Sequence, residues 1–319
     1  MAMRVTNDMQ LQSILRNTQR TLASMAKLQD QVSSGVRLQR PSDGPADIVR
    51  VLKNRHDDAR LSANLATIRD ATIALDASTT ALTDAKNVLT HAKDIALQAA
   101  NTATSDPTAD EALAQEIDVA LSSLLRIANR KLSDGQSLFA GTANQTTPFV
   151  VTATDSAGRP TQIAYRGTDD SSQVLIGPGQ TLDTLIPGNV FRLPQSGNNA
   201  EATDAFQILM SLRDDIRNTR GLSTTDRNAA LTQHIDQLDR MTTGVLEALG
   251  TQGVQSELLT QWKDRVTELQ LSLQKQNDDL ESVDVAAAIT ELTQYQNLYQ
   301  ISLSLIQQIN SLSLSEFLR

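Results

Sequence analysis

Cysteine is absent from the 319 residues. That excludes disulfides, thiol catalysis and thiolate metal sites together. Aromatic residues are scarce, at 3%, although hydrophobic residues make up 39%. A large globular core usually leans on aromatics, whereas helical seams can be built from Leu, Ile, Val and Ala. No apolar run is long enough to span a bilayer. The opening stretch MAMRVTNDMQLQS lacks the apolar segment of a secretory signal, so work outside the cell would need a dedicated export route. Positive charge is in deficit too. A formal net charge of -9 argues against nucleic acid and against an anionic membrane as partners.

Glycine and proline are missing from long stretches. Residues 1–34 contain neither, none lies between Pro45 and Pro107, and none follows Gly253. The stretch from Gly141 to Gly197 instead holds seven of the 14 Gly and five of the 8 Pro. This divides the chain into long uninterrupted helices at both ends and a turn-rich insert between them. The expected fold is mainly α: an elongated antiparallel helical bundle or coiled coil of N- and C-terminal helices, with a small central β-rich insert domain. Five segments follow: an N-terminal helix and turn (1–44), a first bundle half (45–140), the insert (141–200), a second bundle half (201–282) and a C-terminal helix (283–319).

The heptads are what the sequence has in quantity. Leu61, Ile68, Leu75, Leu82, Leu89 and Ala96 stand seven apart, and three residues after each come Asn64, Ala71, Ser78, Ala85, Ala92 and Ala99. One large and one small seam on a helix let a neighbour approach closely. A helix from Ala46 to about Thr102 would be ~85 Å long. A capping-box pattern at Thr108–Glu111 opens a further helix that ends near Asp134-Gly135. In the insert, PFVVTAT, TQIAYRG, SQVLIGPG and NVFRLP read as β-prone runs. Helices resume near Asp204, near Asp226 and from about Gly253. The last of these carries Leu259, Val266, Leu273 and Leu280 seven apart.

The two ends point beyond a single chain. Leu11, Ile14, Leu22, Met25, Leu28 and Val32 line the N-terminal helix. At the other end, Leu292 belongs to one seam, and Leu298, Ile301, Leu305, Ile309 and Leu312 form a second beside it. No formal charge stands between Glu291 and Glu316. A solvated face normally carries Lys and Glu, so these helices are expected to contact neighbouring copies. Ordering on docking would then delay polymerisation. Between the first two helices, Gly35 suits a helix C-cap. Pro41, Ser42 and Asp43 suit a turn, and Pro45 a first helical position.

Catalytic constellations are thin. Only His56, His91 and His234 could act as a general base, and each reads as solvated or helix-surface. None has a metal partner four residues on. Pairs such as Asp214-Asp215 diverge by about 100° on a helix and read as solvated charge. Gly177-Pro178-Gly179 is a turn with no phosphate-loop Lys after it. Asn144-Gln145-Thr146 is a glycosylation sequon by pattern only. No catalytic, cofactor-binding or metal residue is expected.

Two stretches carry a family likeness: QVSSGVRLQRPSDGPAD (Gln31–Asp47), and the end from Val283, which closes on Ser313-Leu314-Ser315-Glu316-Phe317-Leu318. The chain resembles the bacterial flagellin superfamily. Pro41 and Pro45 lean towards its hook-associated branch, and Gly44 departs from a position where a second Asp is common. The resemblance implies a structural, non-enzymatic subunit of the flagellar axis, between hook and filament, with Phe317 in the assembly helix. It implies export by the flagellar type III apparatus without a cleaved signal peptide, and an extracellular location. The implied partners are copies of itself, a hook-associated protein on the hook side, flagellin on the filament side, and a cytoplasmic export chaperone at the C-terminal region. The rival readings are flagellin itself and a secreted helical binding or effector protein.

Overall fold

The computed structural model describes residues 2–101, 107–177, 179–193 and 204–317; the side chains of 2–8, 10, 11 and 309–317 lie outside that description. In chain order the helices are α1 (Ala2–Ser34), α2 (Pro45–Asn101), α3 (Pro107–Ala128), α4 (Ala205–Ile216), α5 (Thr224–Glu281) and α6 (Val285–Phe317). Between α3 and α4 lie β1 (Phe149–Thr154), β2 (Pro160–Tyr165), β3 (Ser172–Gly177) and β4 (Gln180–Leu185). The chain forms two compact units, 1–61 with 267–319, and 62–266.

In the larger unit the heptad residues form the core. Leu82, Leu89 and the small seam Ala85 and Ala92 are fully buried, with Leu121 and Leu124 of α3, Leu209 of α4, and Leu231, Leu238 and Val245 of α5 in the same cluster. The few aromatics are concentrated where the insert meets this bundle. Phe149 lies 4.8 Å from Phe206, and Phe139 5.1 Å from Phe191, ring centre to ring centre. The insert is two separate antiparallel hairpins, β1 with β2 and β3 with β4. The Tyr165 hydroxyl anchors their base: it accepts from the Gly188 backbone N–H at 2.9 Å and reaches the Thr168 carbonyl at 2.8 Å. A Cβ at Gly188 would fall 2.4 Å from the Tyr165 ring, so this close approach requires glycine.

Three expectations are corrected here. The helix opened by Thr108 ends at Ala128, not near Asp134. Asn129 leaves the helix because its side-chain amide brackets Phe149, donating to its carbonyl at 2.8 Å and accepting from its N–H at 2.9 Å. NVFRLP is not extended throughout: Gly188–Phe191 is a 3-10 turn. The fourth strand is instead QTLDTL, where the buried Leu182 and Leu185 alternate weakly with polar residues. Finally, α5 does not restart near Gly253 but runs unbroken for 58 residues. It starts on a capping pair, with the Ser223 hydroxyl donating to Asp226 at 2.7 Å and accepting from its N–H at 3.2 Å.

The smaller unit joins the two chain ends. Gly35, at φ +72°, terminates α1, and its carbonyl accepts from the Val283 N–H at 3.1 Å, just before α6. The end of α1 thus meets the start of α6, and the two helices pack side by side and antiparallel.

Candidate assembly surface

The α1–α6 pair is a two-helix seam with heptad spacing. On α1, Ile14, Thr18, Thr21, Met25, Leu28 and Val32 are buried or half-buried, in alternating steps of four and three. On α6, Ala288, Leu292, Tyr295, Tyr299, Ser302 and Ile306 follow the same steps. Knobs at this spacing keep one stripe of each helix on its partner. The stripe is narrow, and much apolar surface is left outside it. Leu298, Ile301 and Leu305 of α6 are 51%, 55% and 44% exposed, and Leu22 of α1 is 43% exposed.

The expected assembly residues therefore divide. Ile14, Met25, Leu28, Val32 and Leu292 face the sister helix of the same chain. Leu22, Leu298, Ile301 and Leu305 face outwards. The side chains of Leu11, Ile309, Leu312 and Phe317 lie outside the described residues. Exposed apolar rows on a helix with no formal charge nearby are the signature of an interaction face.

A polar joint fixes where the pair begins. Pro41–Asp43 is a 3-10 turn, and α2 starts at Pro45. The Asp43 carboxylate accepts from the Arg40 N–H at 2.9 Å and meets Lys27 Nζ at 2.8 Å; Lys27 above all holds that carboxyl below its ordinary value. Arg37 is the hub. Its Nη2 donates to Asp47 at 3.0 Å and to the Leu280 carbonyl at 2.7 Å, and its backbone N–H donates to the Glu281 carbonyl. Gln31 donates to the Arg37 carbonyl at 2.9 Å, and Asn54 to Asn277 at 3.0 Å. Sequence reasoning picked out Gly35, Pro41, Ser42, Asp43 and Pro45 but missed Gln31, Arg37 and Asn54. Apart from Asp47, ten residues on from Arg37, their partners lie more than 200 residues away or in irregular backbone, so no local spacing announces the joint.

Two matches then decide the family. Residues 5–144 match the bacterial flagellin N-terminal helical region, and residues 234–318 match the bacterial flagellin C-terminal helical region. The chain belongs to the bacterial flagellin family. The two regions together span well over half of this flagellin-family chain, including α1, α6 and the joint. It is 25% identical over 316 residues to flagellar hook-associated protein 3 of Escherichia coli (strain K12), covering 98% of each. Its fold is similar to a structure assigned to a flagellar hook-associated protein of Vibrio parahaemolyticus (19% identity, 75% of this chain and 100% of that one, TM-score 0.64). It is also similar to the flagellar junction protein FlgL of Legionella pneumophila (14% identity, 67% and 99%, TM-score 0.53). At these identities the solved structures establish the fold.

The larger unit of this flagellin-family chain corrects one reading of chemistry. His234 is neither solvated nor on the surface. It is buried, with Nε2 2.9 Å from Asp215 Oδ2 and Nδ1 3.1 Å from Gln237 Oε1. Asp215 has no exposed surface and also takes the Arg220 guanidinium, so this half of the Asp214-Asp215 pair is not solvated charge. A His–Asp pair needs a nucleophile beside it to act as catalytic machinery. The second ring nitrogen here meets an amide oxygen, and the pair ties α4 to α5. Among the described residues, no group of three His, Cys, Asp or Glu could hold a metal, and no helix is long and apolar enough to cross a membrane.

Proposed function

We propose that this flagellin-family chain is a structural subunit of the bacterial flagellum that joins hook to filament. The carrying observation is the outward row Leu298, Ile301 and Leu305 on α6, beside a seam already satisfied by α1. Covering the exposed half of each such side chain stabilises an assembly by about 1 kcal/mol per residue. Copies of the chain supply that cover: α1 and α6 of successive subunits pack as an inner tube, and these helices gain their full stability only there. The junction position is supported by the end-to-end likeness to flagellar hook-associated protein 3.

On this reading a hook-associated protein adjoins the ring on the hook side and flagellin on the filament side. A cytoplasmic chaperone holds the C-terminal region until type III export delivers the chain to the outside. The chemistry of the described residues supports assembly and not catalysis.

Deleting the gene tests the reading. Cells should keep their hooks, lose their filaments and shed flagellin into the medium. Copy number completes the test: a junction subunit is present as one short ring per flagellum. Thousands of copies would move the reading to flagellin, and normal filaments in the deletion strain would end it.

A further inference from the structure

The second hairpin and the middle of α5, both within residues 62–266, line a solvent-open cavity of about 310 Å³, with Glu247 exposed. That lies at the lower end of the range for small-molecule sites. Asp183 of β4 stands on one wall, and Glu247 and Gln252 of α5 on the other. No lining residue is basic.

Three observations set the chemistry of an occupant. First, Gln252 is 3% exposed; its Nε2 donates to Gln255 Oε1 at 2.9 Å, while its own Oε1 has no donor among the described residues. A buried acceptor in that state calls for a donor. Second, both carboxylates have accepting capacity left. Among the described residues, Glu247 makes no side-chain hydrogen bond and Asp183 accepts only from Gln173, at 3.0 Å. Third, the floor at Gly244 is open: a Cβ there would meet nothing within 4 Å. Leu185 and Ala248 supply apolar wall beside it.

A metal ion does not suit this set, since the wall offers two carboxylates and no third ligand of the His, Cys, Asp or Glu type. The set suits a positive group that carries several N–H donors on a short apolar stem. We propose that the cavity between β4 and α5 binds an alkylguanidinium group, with Glu247 and Asp183 countering its charge and Gln252 Oε1 accepting one N–H. Such a group comes either from a free small guanidine or from an arginine side chain of a second copy.

The test uses the full chain, in its unassembled form, with agmatine as probe and neutral citrulline as control. Calorimetry should give saturable heat with agmatine alone, and NMR should shift the Gln252 side-chain amide. Glu247→Gln should weaken binding about tenfold, as loss of a charge-assisted contact does. Gly244→Leu fills the floor while improving the helix, so it should abolish binding without unfolding the chain. Failure to saturate, an equal response to citrulline, or unchanged binding in both variants overturns the proposal. Where binding behaves as expected, assembly of the two variants assigns the source. Lost assembly points to a neighbour's side chain, and normal assembly to a free small cation. The binding measurement needs no assembly, so its outcome stands apart from that of the junction reading.

Discussion

Arg217 holds Glu111 with two nitrogens, at 2.9 and 3.0 Å, and Asp118 with one at 3.0 Å, clamping the end of α4 to α3. The guanidinium lowers the Glu111 carboxyl below its ordinary value of 4.5. A depressed carboxylate contributes stability that is present above the unfolded value and lost as pH falls through the folded one. Glu111→Gln should therefore cost about 1 kcal/mol near pH 7, discounted because the carboxylate is half-exposed. Near pH 2, where the parent has lost the pair as well, the cost should vanish. Urea unfolding at both pH values measures it; an undiminished cost in acid would assign the effect to packing. Spacing could show that Asp214 and Asp215 point apart. It could not show which of them turns inwards, because the groups that receive Asp215 come from two segments: Arg220 from the turn after α4, and His234 from α5. Ion networks assembled by tertiary structure stay illegible at the scale of a residue and its neighbours.

At the scale of the element, α5 carries Gly244, Gly250 and Gly253 within one continuous helix. Glycine in a helix interior costs roughly 1 kcal/mol relative to alanine, and a break near Gly253 was the natural reading. Packing overrides that cost: Val245, Gln252 and Leu259, one heptad apart, are all buried on the inward face. Gly250 faces outwards, and a Cβ there would meet nothing within 4 Å. Gly250→Ala should raise stability by up to about 1 kcal/mol, read as a higher thermal midpoint of the full chain. A lower midpoint would mean that the helix depends on flexibility at this point. The heptads of α2 were legible because Leu, Ile and Ala recur with no competing signal. β4 was not, because Gln180, Thr181, Asp183 and Thr184 leave only Leu182 and Leu185 to announce a buried face.

For the whole molecule the decisive question is which apolar rows the chain satisfies by itself. The sequence displays two seams on the last helix, and the fold assigns them different duties. Leu292, Tyr295 and Tyr299 turn towards α1, whereas Leu298, Ile301 and Leu305 do not. That assignment rests on the register of α6 against α1, which the joint around Arg37 and Gly35 fixes from outside either helix. Two aspartate substitutions separate the duties. Leu28 is 9% exposed within the chain, so Leu28→Asp places a charge in the α1–α6 seam and should cost the isolated chain about 3 kcal/mol. Hydrogen exchange along α1 and α6 should accelerate in that variant. Leu305→Asp lies on the outer row, so it should leave exchange in the isolated chain unchanged and yet lower incorporation into flagella at least about 100-fold, because assembly would bury an unpaired carboxylate. Electron microscopy of complemented deletion cells reads the second outcome. If the Leu305 variant supports filaments as the parent does, the outer row is not where copies meet. If it unfolds α6 in the isolated chain, the row already has a partner within the molecule, and copies would have to meet through another face.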